Sequence, residues 1–497
     1  MYHIREFTPR EYQENILRTT KERNTLVCLP TGTGKTKNAI LLSVHRLNTL
    51  PNTKTLVLSP TKPLSKQICD EFKDSTTILP NKITLLTGMI SPNQRKELFN
   101  TSEVIVATPQ TIANDTKNKL ISLEDVSLLV IDECHRSKQR FANTIVSSSY
   151  KQEAKHPRIL ALTASPGATR EKIEEICKNL HIEGVEIRTE EDEDIKPYLQ
   201  KKEIQHIKVD LTPEIKQLQE PIKKMYLEKL SVLKGFGLSK PINIVNKRDL
   251  LLMQKRYQAE LGRGNRAAFS ALSLLAQAIK ISYMLELIET QSLHSFNTYM
   301  KKIEQETSKA AKTIVSDKRV IEVRKKSEGG NILHPKMLKI KELVSSELEQ
   351  NKEARIIIFA NYRTAVDEIN KLLSAIPGAR PTILVGQKLG FSQKEQMEII
   401  EKFNNNVYNI LIGTSITEEG LSIGSLDTAI FYDHTGSEIR KIQRSGRVGR
   451  IKSGKIINII AKGTRDEALL WTSHRKEKKM QNLLGFMKQK LEKQQRL

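Results

Sequence analysis

The sequence is poor in cysteine and in aromatic residues, and it contains no long apolar run. Its four cysteines, Cys28, Cys69, Cys134 and Cys177, lie far apart and form no CxxC pair, which argues against a zinc site or a disulfide framework. No run of about 18 apolar residues is present, so no membrane-spanning helix is expected. The N-terminus lacks the apolar core of a secretion signal. These absences are typical of a reduced, cytoplasmic protein.

Acidic residues are outnumbered by basic ones. The 497 residues include 81 Lys and Arg against 57 Asp and Glu, a formal net charge of +24. A basic excess of this size favours a polyanionic partner such as nucleic acid. A solvated lysine-rich surface without a partner is the alternative that charge alone leaves open.

Short, nearly continuous apolar runs alternate with helical patterns in two parts of the chain. Such runs are typical of strands buried on both faces of a parallel sheet. The sequence therefore predicts an α/β protein with two parallel-sheet domains. The predicted strands cover residues 25–29, 55–59, 83–87, 104–108, 128–132 and 159–163 in the first domain, and 355–360, 382–386, 409–414, 428–433 and 455–461 in the second.

The region between the two sheets has a different, helical texture. Residues 211–326 carry 22 Lys and Arg against 11 Asp and Glu, a net charge of +11. This insert is expected to grip nucleic acid, although a solvated helical insert would have the same composition. The expected domains are a first sheet domain at 1–195, an all-helical basic insert at 205–330, a second sheet domain at 335–475, and a basic C-terminal helix at 476–497.

The first motif that carries chemistry is LPTGTGKT, residues 29–36, between a predicted strand and a helical pattern. Gly32 and Gly34 permit a tight turn whose backbone N–H groups converge on nucleotide phosphates. The strict pattern has glycine where this chain has Leu29, a minor departure. Lys35 supplies a cation to the phosphates, and the Thr36 hydroxyl supplies a ligand for Mg²⁺. We therefore expect ATP and Mg²⁺ as cofactors, with contacts from Thr31, Gly32, Thr33, Gly34, Lys35 and Thr36.

The second motif is LLVIDECH, residues 128–135, in which an apolar strand ends in two adjacent carboxylates. We expect Asp132 to hold Mg²⁺, directly or through water, and Glu133 to activate the attacking water as general base. In isolation the string could be a turn with solvated acids, but its place after a phosphate loop favours hydrolysis. His135 is expected to contact the second domain or a neighbouring motif.

The third motif is QRSGRVGR, residues 443–450, in the second sheet domain. Gln443, Arg447 and Arg450 are spaced so that a helix would place them on one face. Two guanidinium groups on one face are suited to clamp a phosphoryl group from across an interface. A basic helix face that contacts solvent or a phosphate backbone is the alternative.

Together these motifs resemble those of superfamily-two helicases of the DExH type, over residues 1–190 and 335–475. REYQ (10–13), SPTKPL (59–64), ATPQT (107–111), TAS (163–165), FANYR (359–363), GQ (386–387) and TSITEEGLSIG (414–424) follow in the family's order. The resemblance implies two RecA-like domains, adenine recognition by Gln13, and coupling of hydrolysis to movement by Thr163 and Ser165. It also implies a nucleotide contact at Gly420 and strand contacts at Thr61, Lys62, Thr108, Arg363, Gln387 and Thr414.

Within that superfamily, LPTGTGKT, DECH, the helical insert and the series VGQ, FSQKEQ, EEGLS and QRSGRVGR together resemble the archaeal Hef helicase domain, whose relatives include FANCM, Dicer and RIG-I-like helicases. The helical insert stands where that group has a thumb-like insert. The resemblance implies an ATP-dependent helicase or translocase on forked or branched DNA in fork repair and recombination. Full-length Hef adds a C-terminal nuclease, which we expect this chain to lack.

Two other activities remain open at this point. One is an RNA helicase, and the other is an ATP-gated clamp on double-stranded nucleic acid, because phosphate contacts do not distinguish these substrates. A separate nuclease and a sliding clamp are the possible protein partners, the latter through MQNLLGFMK (480–488), which loosely resembles a clamp-binding peptide. No membrane partner is expected, and the protein is expected in the cytoplasm, associated with the nucleoid.

The fifth helicase motif departs from the family in one residue. Related helicases often have aspartate after Gly-Leu, where it binds the ribose, whereas this chain has Ser422. A hydroxyl hydrogen-bonds more weakly than a carboxylate. We therefore expect Ser422→Asp to lower the Michaelis constant for ATP in a steady-state hydrolysis assay, and an unchanged constant would contradict this interpretation.

Overall fold

Two parallel sheets with helices between them form the framework of the protein, which confirms the predicted α/β class. The computed structural model describes residues 1–495 apart from 138, 140, 168, 200–201, 267, 330–331, 387–390, 415–422, 425, 438–441, 443 and 445–453, and describes the backbone alone of 202, 393 and 488–495.

The first sheet has seven described strands. They are β1 (Thr25–Cys28), β2 (Lys54–Leu58), β3 (Ile83–Leu86), β4 (Val104–Ala107), β5 (Val126–Ile131), β6 (Ile159–Thr163) and β7 (Gly184–Ile187). The helices around it are α1 (Glu11–Glu22), α2 (Lys35–Thr49), α3 (Lys62–Ser75), α4 (Pro92–Thr101), α5 (Pro109–Lys117), α6 (Ala142–Glu153) and α7 (Arg170–Asn179). The spatial order is β3-β4-β2-β5-β6-β1-β7. The six predicted strands are confirmed, and β7 is added to them.

Both faces of this sheet are covered, which is why its strands are apolar at most positions. In β1, Leu26 and Cys28 belong to the core on one face, and Val27 belongs to the core on the other. Successive strand side chains point to opposite faces, so burial on both sides requires an unbroken apolar run. The polar site candidates Thr163 and Asp132 lie at the end of β6 and directly after β5.

A bundle of helices forms the insert. Its described helices are α8 (Pro213–Lys234), α9 (Lys247–Gly262), α10 (Ala268–Thr290), α11 (Leu293–Glu304), α12 (Lys309–Val315) and α13 (Lys318–Gly329). By length and composition α10 could cross a membrane, the one described helix that passes this test. It lies at the centre of the bundle, with Ala271, Leu275, Ala278 and Ile281 fully buried. A helix surrounded by other helices is apolar for this reason.

The second sheet receives a strand from before the insert. Its described strands are β8 (Lys202–Val209), β9 (Ile356–Phe359), β10 (Pro381–Leu384), β11 (Ile410–Gly413), β12 (Thr428–Phe431) and β13 (Gly454–Ala461), in the order β10-β11-β9-β12-β13-β8. Its helices include α14 (Pro335–Gln350), α15 (Arg363–Leu373) and α16 (Gln393–Asn404). The sequence assigns 205–209 to the insert, whereas these residues pair in parallel with β13. The edge strand β8, KEIQHIKV, is apolar only at Ile204, Ile207 and Val209, so it lacks the nearly continuous apolar run from which the other strands were predicted.

The last helix, α17 (Arg465–Gln495), begins earlier than the predicted C-terminal helix at 476–497. Its first turns lie in the second domain, where Asp466 forms an ion pair with Lys336 of α14. Further along, Met480 and Leu484 are buried in the core of the first domain. One helix therefore bridges the two domains.

Candidate active site

Three sequence motifs meet at one edge of the first sheet. Strand β6 lies between β5 and β1 and pairs in parallel with both. The phosphate-loop candidate follows β1, the segment 163–165 begins at the end of β6, and Asp132 follows β5. Because the carboxyl ends of parallel strands lie at the same edge, these motifs are neighbours despite their separation in sequence.

The loop before α2 has the backbone geometry of an anion-binding turn. Gly32 and Gly34 have φ angles of +84° and +78°, in the left-handed region that favours glycine. Helix α2 begins at Lys35, so the N–H groups of its first turn, which includes Thr36, point toward the loop. Helix N-termini attract phosphate groups through these N–H groups and the helix dipole.

Hydrogen bonds from within the first domain hold this loop in place. Thr33 is buried and donates its hydroxyl hydrogen to the Pro30 carbonyl, 2.7 Å away, and the Tyr12 hydroxyl donates to the Thr33 carbonyl. The Lys35 amine lies 3.4 Å from the carbonyl oxygens of Leu29 and Pro30. The lysine is therefore folded over the loop rather than extended into solvent.

The two carboxylates after β5 lie in different surroundings. Burial raises the pKa of Asp132 to about 7, and the negative charge of Glu133 adds to this shift. Glu133 is also subject to burial, but the hydrogen bond and charge of His135, with the charges of Lys35 and Arg136, bring its pKa below the ordinary value. Two adjacent acids with opposite pKa shifts are suited to different tasks.

Glu133 has a backbone conformation that is rare outside glycine. Its φ and ψ angles are 49° and 48°, in the left-handed region. Such strain persists where the surrounding structure enforces it, and it is concentrated at functional sites. The conformation starts a short turn of 3-10 helix, Cys134–Arg136, which places His135 beside Glu133.

His135 connects the acidic pair to the end of β6. Its Nδ1 atom lies 3.2 Å from Glu133 Oε2 and 3.3 Å from Thr163 Oγ1. Thr163 Oγ1 also accepts a hydrogen bond from the Ser165 amide, at 3.1 Å. His135 thus contacts a neighbouring motif, the second of the two expected alternatives.

The donor set fits Mg²⁺ bound together with a nucleotide. Among the described residues, no cluster of three or more His, Cys, Asp or Glu side chains could hold a metal by itself. Mg²⁺ is commonly held by one or two carboxylates, water and substrate phosphates. Asp132 is half-buried and its pKa is raised by that burial, so a nearby cation would stabilise its charged form. The Thr36 hydroxyl and Asp132 are the residues that would bind the ion.

Gln13 lies beside the phosphate loop in a fixed orientation. It is 1% exposed, and its Oε1 atom accepts a hydrogen bond from the Arg10 amide at 3.0 Å. Its Nε2 atom lies 3.4 Å from the position that a Cβ on Gly34 would occupy. Gln13 therefore presents its amide group next to the nucleotide-binding turn.

The candidate strand contacts of the first domain lie at two neighbouring helix N-termini. Thr61 is the N-cap of α3, where its side chain accepts from the Leu64 amide at 3.4 Å, and Lys62 is the first residue of that helix. Thr108 is the N-cap of α5. These residues follow β2 and β4, which are paired, so the two helix starts lie side by side.

The described strand-contact candidates of the second domain are Thr414 and Arg363. Thr414 follows β11, is 6% exposed, and donates its amide hydrogen to Leu384 O at 3.3 Å. Arg363 begins α15 and forms an ion pair with Asp367 at 2.9 Å. Gln387, Gly420, Ser422, Gln443, Arg447 and Arg450 lie outside the described residues.

Arg444 is a residue of the third motif that the sequence does not single out. It is fully buried and donates hydrogen bonds to the Asp433 carbonyl and to Asn361 Oδ1, both at 2.8 Å. Its guanidinium group also lies 5.2 Å from the ring centre of Phe359. These hydrogen bonds hold the Arg444 side chain against the residues that follow β12 and β9. In the sequence, the one signal for a role of Arg444 is its position between the two predicted site residues Gln443 and Arg447.

The predicted sliding-clamp peptide lies on α17. Met480 and Leu484 are each 3% exposed and pack into the first-domain core, whereas Phe486 is 61% exposed. A clamp would have to remove two buried side chains from that core. This arrangement favours a structural role for the segment over binding to a sliding clamp.

Comparison with known proteins gives three matching sequence families in order along the chain. Residues 10–173 match the DEAD/DEAH box helicase family, and residues 336–452 match the helicase conserved C-terminal domain. Residues 214–328 match a helical-bundle family described for an ATP-dependent RNA helicase. These matches fall on the two sheet domains and the insert.

Two curated relatives are similar over nearly the whole chain. A protein of Methanocaldococcus jannaschii, provisionally named an ATP-dependent RNA helicase, is 38% identical, over 96% of this chain and 61% of its own length. The ATP-dependent DNA helicase fml1 of Schizosaccharomyces pombe is 34% identical, over 91% of this chain and 57% of its own length. The chain thus spans about three fifths of these relatives.

A solved structure matches both the fold and the length. The crystal structure of the Pyrococcus furiosus Hef helicase domain is 39% identical, with a TM-score of 0.74. The match covers 94% of this chain and 98% of that one. The chain therefore belongs to the DEAD/DEAH-box helicases, in the group that contains the Hef helicase domain.

Proposed function

We propose that this chain is an ATP-dependent DNA helicase or translocase that acts on forked or branched DNA in replication-fork repair and recombination. The observation that carries the proposal is the meeting of three motifs at one sheet edge, where β6 brings Thr163 between the phosphate loop and the acidic pair. This arrangement supports nucleotide hydrolysis coupled to movement of the segment 163–165.

The proposed roles follow from the site's geometry and from the family. The loop 29–36 binds the ATP phosphates, Lys35 neutralises their charge, and Gln13 recognises the adenine. Glu133 takes the proton of the attacking water. Thr36 and Asp132 would hold Mg²⁺, which would neutralise negative charge on the phosphates. Residues of the second domain complete the site when the cleft closes: Gly420, Gln443, Arg447 and Arg450.

The proposed nucleic-acid track runs over the helix starts of both domains. Thr61, Lys62 and Thr108 in the first domain, with Arg363, Gln387 and Thr414 in the second, would contact the phosphates of one strand. Helix N-termini and hydroxyl groups bind phosphate without reading bases, so binding would be independent of sequence. Pro63 and Lys66, which follow the proposed contacts Thr61 and Lys62, line an open groove with Met397 and Ile400 of α16. Further along α3 the lining of this groove is acidic, with Asp70, Glu71 and Asp74, so we expect phosphate contacts at the start of α3 only.

The insert supplies the basic surface for the second arm of a branched substrate. Helix α9 exposes Arg248 and Lys255 on its outer side, and the turn that follows exposes Arg263 and Arg266. Leu252 and Phe269, 55% and 65% exposed, lie close to these groups in sequence. Exposed guanidinium and ammonium groups bind phosphates, and their contribution depends on salt.

RNA is the second candidate substrate, since one matching family and one relative carry RNA helicase in their descriptions. The fml1 relative carries DNA helicase in its name. Single-turnover strand separation on forked DNA, linear DNA and RNA duplexes tests the choice. We expect the strands of forked DNA to be separated faster than those of linear DNA or of RNA duplexes. Faster separation of RNA would reverse the assignment, and ATP hydrolysis without any separation would favour an ATP-gated clamp.

Reversing two charges on the insert is expected to reduce the affinity for forked DNA. For Arg248→Glu with Lys255→Glu, we expect the dissociation constant to rise roughly tenfold at moderate salt, since phosphate contacts are lost. The measurement is a fluorescence-anisotropy titration at several salt concentrations. The control is Lys151→Glu with Lys341→Glu, two exposed lysines of α6 and α14. Equal effects of the two double variants would show that net charge, not the insert, governs binding.

A further inference from the structure

Helix α17 is anchored at its base in both the second domain and the insert. Lys336 of α14 is fully buried, and its amine donates to Asp466 at 2.7 Å and to the Thr290 carbonyl of α10 at 3.1 Å. The neighbouring Arg465 forms an ion pair with Glu286 of α10, also at 2.7 Å. A buried amine with these partners holds the base of α17 against the end of the insert's central helix.

The end of α10 is also connected, through Asp433, to Arg444 of the third motif. Gln291, just after α10, donates to Asp433 Oδ1 at 2.5 Å. The carbonyl of Asp433 accepts from buried Arg444, at 2.8 Å. The start of α17, the end of α10 and Arg444 are therefore linked by one continuous group of hydrogen bonds.

The other part of α17 reaches the first domain behind the phosphate loop. Met480 lies fourteen residues after Asp466, about 21 Å along the helix. Met480 and Leu484 line one small cavity together with Pro30 and Thr31 of the phosphate loop. The helix thus spans from the insert to the neighbourhood of the nucleotide.

Met480 also contacts the motif between the phosphate loop and the acidic pair. The Ser165 hydroxyl donates to Met480 Sδ at 3.0 Å, and both residues are buried. From Ser165, contacts continue through Thr163 and His135 to Glu133, with distances of 3.1, 3.3 and 3.2 Å. Because every member is partly or fully buried, displacement of one leaves its neighbour without its partner.

We propose that Met480 is a positioning residue for ATP hydrolysis, through which α17 connects the insert and the second domain to the general base. Met480 fixes Ser165, which fixes Thr163 and thereby the imidazole that orients Glu133. This inference rests on the proposed role of Glu133. Nucleic acid bound to the insert then affects hydrolysis through the helix as well as through closure of the cleft.

Substitution of Met480 tests the proposal. We expect Met480→Ala to reduce kcat for DNA-stimulated ATP hydrolysis roughly tenfold, since a small misplacement of a catalytic group is costly. The KM for ATP is expected to stay near the wild-type value, because the phosphate loop itself is intact. Met480→Leu keeps the volume and is expected to recover part of the loss. Phe486→Ala is the control, on an exposed face of the same helix.

A double-mutant cycle separates positioning from general loss of packing. If Met480 acts through Ser165, the double variant Met480→Ala, Ser165→Ala is expected to lose no more kcat than the worse single variant. Wild-type kcat in Met480→Ala, or multiplicative losses in the double variant, would overturn the inference. If Met480→Ala does not fold, Met480→Leu and Ser165→Ala form the same cycle. The proposed function fails separately, by persistent turnover in Glu133→Gln.

Discussion

Replacing Lys35 by alanine is expected to reduce ATP hydrolysis by about a thousandfold or more. The amine is folded over the phosphate loop, 3.4 Å from two of its carbonyl oxygens, and its positive charge acts on both Asp132 and Glu133. No other lysine occupies the loop 29–36. Its removal would leave the developing charge on the phosphates without its main cation from this domain. Phosphate release at saturating DNA measures the effect.

Lys37 provides a matched control for this substitution. It lies two residues further along α2, and its amine donates to Ser75 Oγ and forms an ion pair with Glu71 at 3.4 Å. It is thus directed to α3 rather than to the loop. Lys37→Ala is expected to hydrolyse ATP at close to the wild-type rate. Comparable turnover of Lys35→Ala and Lys37→Ala would refute the assignment of the loop.

Replacing Glu133 by glutamine is expected to separate nucleotide binding from hydrolysis. Loss of a general base typically costs a factor of about 10² to 10⁴ in rate, so we expect kcat to fall by about a thousandfold. Glutamine has the same shape and can still contact His135, so the loop and the binding of ATP are expected to persist. Isothermal titration with ATP and rapid-quench hydrolysis measure the two properties independently.

The control for Glu133 lies at the opposite end of the same strand. Glu124 precedes β5, is largely exposed, and forms an ion pair with Lys155 at 3.0 Å. Glu124→Gln is expected to have no measurable effect on turnover, since exposed ion pairs contribute little. Wild-type turnover in Glu133→Gln would reject Glu133 as the base. A loss of ATP binding together with hydrolysis would instead indicate a role in holding the nucleotide.

The elements of the fold that could be predicted are those with a local pattern of apolar residues in the sequence. Buried strands such as β4 and β5 are apolar at nearly every position, because both sheet faces are covered. The edge strand β8 lacks this signal, and its partner β13 lies about 250 residues away in sequence, as the pairing of Gln205 with Ile457 shows. Pairing over such a distance leaves no local pattern to read.

The residues of the site also fall into two groups, those with a local sequence motif and those brought together only by the tertiary fold. The glycines of the phosphate loop and the two carboxylates after β5 are recognisable because their spacing is fixed by the ligand. By contrast, Met480 contacts Ser165 across 315 positions, and Lys336 contacts Asp466 across 130. These partners are selected by tertiary packing, so a single sequence does not reveal them. Arg447 and Arg450 stay predictions from their spacing.

The pairing of β8 with β13 has a consequence for motion. Because the strand before the insert and the helix after it, α14, both belong to the second domain, the insert is rooted there at both ends. If the two sheet domains rotate relative to each other, the helical insert therefore moves together with the second domain. Its central helix, with 23 residues, is about 35 Å long. A small change in the angle between the two sheet domains would therefore displace the far end of the insert by a larger distance.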